Sequence, residues 1–170
     1  VGTPTNPNSN NADLKYVYNV IREIADLIDI KDSPKLIVTK STVPVGTGKD
    51  LESYILNYRK ELKIVKNFDI ASNPEFLREG SAIEDFMRPD RVICGVESEF
   101  AKSILNTLYR PLNLRETPIL FSKRETAELI KYASNGFLAT KITFINEMAD
   151  ICEKVGADVQ DVAKGIGLDG

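Results

Sequence analysis

Four short apolar runs, each too short to be a buried helix, alternate with amphipathic stretches over residues 1–121. They are Lys35-Leu36-Ile37-Val38-Thr39, Phe68-Asp69-Ile70-Ala71, Arg91-Val92-Ile93-Cys94-Gly95 and Pro118-Ile119-Leu120-Phe121. Runs of this length and composition read as buried strands. Between and before them the period becomes helical. Over residues 12–30, Leu14, Val17, Tyr18, Ile21, Ile24, Ala25 and Ile28 fall at i, i+3, i+4 and i+7 spacing. A second helix is expected over 47–60 and a third over 98–109, the latter with Phe100, Ala101, Ile104, Leu105 and Leu108 on one face. Strands alternating with helices make βαβ units and a parallel sheet, so the fold class is α/β. Ligands on such a sheet sit beyond the carboxyl ends of the strands. Val1 to Thr5 reads as the end of a strand entering a polar loop.

From Ser122 the pattern changes. Ser122 and Glu125 have capping-box spacing, and a helical period then runs through Ala127, Ile130, Ala133, Phe137, Phe144, Ile145, Met148, Ile151 and Cys152 up to Gly156. About 33 residues at about 1.5 Å each give a helix of roughly 50 Å, longer than one small domain is wide. Gly136 inside it costs about 1 kcal/mol relative to Ala and permits a close approach or a bend. A short helix over 158–165 follows. The expected division is therefore residues 1–121 and residues 122–170.

Composition narrows the chemistry. A net charge of -3 over 170 residues gives no electrostatic case for nucleic acid or an anionic membrane. No apolar stretch is long enough to span a bilayer. Two cysteines without any histidine argue against a disulfide framework and a zinc site and suit a reducing cytoplasm. A Ser-His-Asp or Cys-His mechanism within this chain is impossible, so acid–base work falls to Glu, Asp, Lys, Tyr or water. Cys94 and Cys152 lie in apolar patterns and read as buried structural thiols.

Three segments carry candidate chemistry. In Asn73-Pro74-Glu75-Phe76-Leu77-Arg78-Glu79-Gly80, Asn73 suits an N-cap, Pro74 the first helical position and Gly80 a stop. Glu75 and Glu79 would then share one helix face, where like charges repel. Taken alone, this segment suits a solvated, capped helix as well as a site. Ser41-Thr42-Val43-Pro44-Val45-Gly46 follows a strand, where the Thr42 hydroxyl can meet a ligand or simply satisfy a turn. Gly46-Thr47-Gly48-Lys49 lacks the spacing of either phosphate-binding glycine motif and is rejected as one. Lys131 and Asn135 are four apart on the long helix, a spacing that suits an oxyanion site or a snorkelling lysine beside an exposed amide.

Together these segments resemble the nucleotide-sugar 6-dehydrogenases. The resemblance rests on Ser41 to Gly46, Asn73 to Gly80, Pro89-Asp90-Arg91-Val92 and Ala127-Glu128-Leu129-Ile130-Lys131-Tyr132-Ala133-Ser134-Asn135. It continues through Phe137-Leu138-Ala139, Ile145-Asn146-Glu147, Cys152-Glu153, Gly156-Ala157-Asp158-Val159 and Gly165-Ile166-Gly167-Leu168-Asp169, and covers essentially the whole chain in order. It implies that residues 1–121 are the C-terminal part of a Rossmann-like NAD-binding domain with a parallel sheet. Residues 122–170 are then a long connecting helix and the start of a helical dimerisation region. The implied reaction oxidises the C6 alcohol of UDP-glucose or a related nucleotide sugar to a carboxylate in two NAD-dependent steps, through a cysteine-bound thioester.

The same resemblance implies residue roles. Thr42 holds a water and lies near the nicotinamide. Glu75 is the acid–base group of thioester hydrolysis. Lys131 and Asn135 stabilise the oxyanion and position the sugar. Thr3, Thr42 and Glu79 face the cofactor, while Phe76, Leu77 and Arg78 line the sugar-nucleotide site beside Glu75. The implied assembly is a cytoplasmic homodimer built through the long helix, with no metal, nucleic acid or membrane partner. The family's glycine-rich loop is expected before Val1 and its catalytic cysteine after Gly170. The segment alone is therefore expected to be an inactive internal piece. Sibling activities on UDP-N-acetylmannosamine or GDP-mannose, and a non-catalytic dimerisation module, are the alternatives.

Overall fold

The computed structural model describes residues 1–9, 11–115 and 117–168; Asp169 of the last motif lies outside the described residues. The chain forms two compact units, the first ending at Lys131 and the second beginning at Tyr132. In the first unit, α1 (Lys15–Leu27), β1 (Lys35–Thr39), α2 (Thr47–Tyr58), β2 (Phe68–Ser72), α3 (Ala82–Met87), β3 (Val92–Gly95), α4 (Glu99–Tyr109) and β4 (Ile119–Ser122) lead into α5 (Arg124–Val155).

The expected strands and long helices form because each has a face to bury. α1 buries Val17, Ile21 and Ala25, with Ile28 just beyond, against Leu51 and Ile55 of α2 and Ile37, Phe68 and Ile70 of the sheet. A second cluster joins Ala71, Val92, Cys94, Leu105 and Tyr109. On α4 the buried row is Ala101, Leu105 and Tyr109 at four-residue spacing. Ile104 and Leu108, expected on the same face, are 37% and 62% exposed. They sit one residue, roughly 100°, round the helix from that row.

The sheet runs β1-β2-β3-β4. β1 and β2 are parallel and paired from Lys35↔Phe68 to Thr39↔Ser72, with α2 as the crossover. β3 and β4 are parallel from Val92↔Ile119 to Gly95↔Ser122, with α4 between them. The two pairs join antiparallel through one register pair, Ser72↔Gly95. A parallel neighbour needs a covering crossover, and α3 between β2 and β3 buries no residue. The carboxyl ends of both parallel pairs consequently meet at Ser72 and Gly95.

Two local expectations are corrected. Residues 73–78 form no helix or strand; the chain turns at 79–81 with Gly80 at φ 83°, and becomes helical only at Ala82. Glu75 and Glu79 therefore share no helix face. Asn73 is unavailable as a cap because its side chain is buried: Nδ2 donates to the Ile93 carbonyl at 2.7 Å and Oδ1 accepts from Lys40 Nζ at 2.9 Å and from the Tyr109 hydroxyl. Ser122 makes no capping box either. It ends β4 in register with Gly95, and its hydroxyl donates to the Lys123 carbonyl at 3.1 Å.

Along α5, Phe137, Leu138, Ile142, Phe144, Ile151 and Val155 are exposed in the second unit, while Cys152 is buried. Nothing lies within 4 Å of where a Cβ on Gly136 would sit. Gly156 ends the helix in the left-handed region at φ 75°, its N–H reaching the Cys152 carbonyl at 2.9 Å. Asp158 then caps α6 (Val159–Gly167), its Oδ1 accepting from Gln160 N and Asp161 N.

At the join, a Cβ on Gly95 would stand 2.7 Å from Arg124 Cα and 2.8 Å from Ala127 Cβ. Both obstacles are fixed to the start of α5. Gly95→Ala is expected to destabilise the protein by about 1–3 kcal/mol, the usual range for overpacking. The drop in urea midpoint with an unchanged m-value checks this.

Candidate active site

The site is built where the strand ends meet. After β1 the loop from Lys40 to Gly46 turns into α2. Pro44 and Gly46, the latter at φ 94°, shape this turn, and Thr47 Oγ1 donates to the Pro44 carbonyl at 2.6 Å. Val43 is buried under the loop. The N-terminal segment braces it from the side: Thr3 Oγ1 donates to the Thr42 carbonyl at 2.9 Å, and Ser41 Oγ to the Val1 carbonyl at 2.6 Å. The Thr42 hydroxyl itself makes no hydrogen bond among the described residues.

The first turns of α5 close the site from the other side. Their buried row is Arg124, Ala127, Glu128 and Lys131, an i, i+3, i+4, i+7 stripe with three charged members. This differs from the expected row of Ala127, Ile130 and Ala133, since Ala133 is exposed. Buried charges are tolerated only with partners, and each has them. Arg124 pairs with Glu52 at 2.7 Å and lies 3.7 Å from Glu97 Oε1, too far for a hydrogen bond from its Nε. Glu128 Oε2 accepts from Gly46 N at 2.7 Å, and Oε1 from Gly48 N at 2.9 Å and Ser72 Oγ at 2.7 Å. Lys131 Nζ is 3.7 Å from Glu75 Oε1 and 5.1 Å from the centre of the Phe76 ring. A cavity of about 10 Å³ lies among Thr39, Ser41, Thr42, Ser72, Glu128 and Lys131, the space one water needs.

Of the expected site residues, Thr42, Glu75, Phe76 and Lys131 come together here. Glu75 is half-buried; its second oxygen accepts from Leu77 N at 2.7 Å. The other face of the segment points elsewhere. Arg78 makes a bidentate pair with Asp85, at 2.7 Å and 3.1 Å, which holds the Asp85 carboxyl below its ordinary range. Leu77 and Glu79 are exposed. Asn135 is exposed on α5 in the second unit. Glu128 and Ser72 were absent from the expected set. The signal for Glu128 was a carboxylate one turn before Lys131 on a helix that had to be buried there. The rejected glycine motif is explained too: the amides of Gly46 and Gly48 at the start of α2 are filled by the chain's own carboxylate.

Residues 1–113 match the family model described as "UDP-glucose/GDP-mannose dehydrogenase family, NAD binding domain", and residues 125–170 match that family's central domain. The chain belongs to the UDP-glucose/GDP-mannose dehydrogenase family. It is 55% identical to the UDP-glucose 6-dehydrogenase of Rhizobium meliloti over 172 residues, which is all of this chain and 38% of that protein. Among solved structures it is similar to a UDP-glucose dehydrogenase from Pyrobaculum islandicum, with 44% identity and a TM-score of 0.86 over 99% of this chain and 38% of that one. It is also similar to a GDP-mannose dehydrogenase from Pseudomonas aeruginosa, with 34% identity and a TM-score of 0.85 over the same shares. The chain thus spans well under half the length of these family members. No described helix is long and apolar enough to cross a membrane, and no described cluster of His, Cys, Asp or Glu is arranged to hold a metal ion.

Cys94 is fully buried, and burial pushes its thiol up to about 11. At pH 8 only about one molecule in a thousand would carry a thiolate there. Native protein should therefore leave Cys94 unmodified by iodoacetamide at pH 8, and denatured protein should react at that position; mass mapping after each treatment decides. The Glu52 carboxyl has a linked pH effect. Burial raises it, but hydrogen bonds from Lys66 and Arg124 outweigh that and hold it below its ordinary 4.5. A depressed carboxyl contributes stability above the unfolded value that is lost as pH falls through the folded one. Thermal melts between pH 6 and pH 3 should show wild type losing more stability than Glu52→Gln.

Proposed function

We propose that the protein carrying this chain oxidises the C6 alcohol of a UDP-sugar, UDP-glucose first among them, to the carboxylate. The observation that carries this is a water-sized cavity at the strand ends bordered by Thr42, whose hydroxyl is free, and by Lys131, whose ammonium lies 3.7 Å from Glu75. The substrate choice is favoured by the higher identity to UDP-glucose enzymes than to the GDP-mannose one. NAD, the cofactor implied by the domain match, supplies the hydride acceptor when bound. The residues present fit its reactive end: an uncharged loop edge with one available hydroxyl. Thr42 would hold that end, with Thr3 fixing the Thr42 backbone and Glu79 reaching it from the exposed turn.

The side chains divide the remaining work. Lys131, 7% exposed, presents an ammonium in a low-dielectric setting, where it stabilises the negative charge that develops on the substrate oxygen as the C6 hydroxyl gives its proton to water and C6 gives up hydride. Asn135, one turn along α5, adds a neutral donor toward the same oxygen. Glu75 stands within reach of that ammonium and takes the proton from a water that attacks the thioester carbon, the cysteine sulfur leaving as thiolate. Thr42 orients that water through its hydroxyl. Phe76 covers Lys131 and keeps bulk water from it, while the backbone of Phe76, Leu77 and Arg78 borders the sugar nucleotide. In this reading residues 1–121 belong to the cofactor domain of a cytoplasmic enzyme. Residues 122–170 carry the helical region whose exposed apolar side chains meet a second copy.

The reading is tested on the full-length protein by following NADH absorbance with UDP-glucose, UDP-N-acetylmannosamine and GDP-mannose. UDP-glucose should give the highest kcat/KM and two NADH per sugar. Lys131→Ala should lower kcat by about 100-fold or more, the usual loss of an oxyanion contact. A protein that reduces NAD with none of these sugars would sink the proposal.

A further inference from the structure

Three segments that carry the proposed reacting groups are separate in sequence and joined by one side chain. Glu128 is 3% exposed and spends both carboxylate oxygens on them. Gly46 N and Gly48 N, at 2.7 Å and 2.9 Å, belong to the loop that presents Thr42. Ser72 Oγ, at 2.7 Å, ends β2 three residues before Glu75. Glu128 itself sits one helical turn before Lys131, and it borders the same cavity as Thr42 and Lys131. The contact is tight as well as polar, since a Cβ on Gly48 would lie 3.1 Å from Glu128 Oε1 and 3.0 Å from Ser72 Oγ.

We propose that Glu128 is a positioning residue for the dehydrogenase reaction, the clamp that sets Thr42, Glu75 and Lys131 in mutual register. Both of its oxygens are held by donors of this chain, Oε1 by two and Oε2 by one, so its assigned part is to hold segments and not to move a proton. Its charge suits the place. The first amides of α2 carry the positive end of the helix dipole, and a carboxylate there forms stronger hydrogen bonds than a neutral amide would. A misplacement of about 1 Å among reacting groups can cost about 100-fold in rate. A clamp at the point where three segments meet therefore acts on kcat without touching the substrate.

This inference rests on the dehydrogenase reading, and the experiment separates the two. In the full-length protein, Glu128→Gln keeps the shape but turns one acceptor into an NH2 group facing an N–H. With its oxygen kept toward Gly48 and Ser72, the Gly46 bond is lost. The expected result is a fall in kcat of about tenfold or more, with KM for NAD and nucleotide sugar changed by less than about threefold. In a Thr42→Ala background the same substitution should cost less than about twofold more, because the Gly46 bond that it breaks holds the Thr42 loop while the bonds to Gly48 and Ser72 remain. Amide exchange at Gly46 should speed up by about tenfold or more while buried amides of α1 keep their protection. Equal losses in both backgrounds, kcat within about twofold of wild type, or unchanged exchange at Gly46 would each overturn the proposal. If Glu128→Gln does not fold, Ser72→Ala removes the donor from β2 and should lower kcat by about threefold or more with both KM values changed by less than about threefold; kcat within about twofold of wild type would overturn the proposal. If wild type reduces NAD with no sugar, the dehydrogenase reading fails, and Gly46 exchange still decides whether the clamp exists.

Discussion

Everything at the carboxyl end of the sheet follows from burying charge on one face of a helix. The first two turns of α5 place Arg124, Glu128 and Lys131 where apolar side chains would normally sit, and each is nearly out of solvent. An unpartnered buried charge costs several kcal/mol, so each of the three dictates its surroundings. Arg124 recruits Glu52, and Glu52 in turn holds Lys66. Glu128 requires amides and a hydroxyl aimed inward, which fixes the turn at Gly46 and the end of β2. Lys131 requires a carboxylate and an aromatic face, which Glu75 and Phe76 supply from a segment that does not become helical.

The sheet's topology makes that arrangement possible. A fully parallel sheet would have carried β3 past β2 with a helix over the join. Instead two parallel ribbons meet end to end at Ser72↔Gly95, and the start of α5 crosses that junction against a residue with no side chain. Packing, rather than turn chemistry, requires the glycine at position 95.

Much of this was legible in the sequence, for a physical reason. Strands β1 to β4 and helices α1, α2 and α4 bury an apolar face, and burial imposes a period that can be read locally. Thr42, Glu75 and Lys131 were legible from the family's motifs, and the first two also from their places after strands. The misreadings fall where a distant partner outcompeted a local signal. Asn73-Pro74 carries the local signature of a helix start, but its amide was taken by Ile93, Lys40 and Tyr109. Ser122 and Glu125 have capping spacing, but Ser122 was needed in β4. The face of α5 was misassigned because a search for apolar periodicity passes over a row of Arg, Glu and Lys. Glu128 could have been found only by asking what a carboxylate was doing on a helix face that had to be inside.

The internal carboxylate at the start of α2 also bears on how a ligand is held. A turn from a strand into a helix can offer a phosphate the unpaired amides of the helix start. Here those amides already face an anion, so the loop presents a neutral rim: a threonine hydroxyl and backbone carbonyls. Affinity gained through this rim comes from dipoles at short range, not from net charge. Such contacts are little screened by added salt, so under the proposed function ionic strength would act on nucleotide binding through residues other than these.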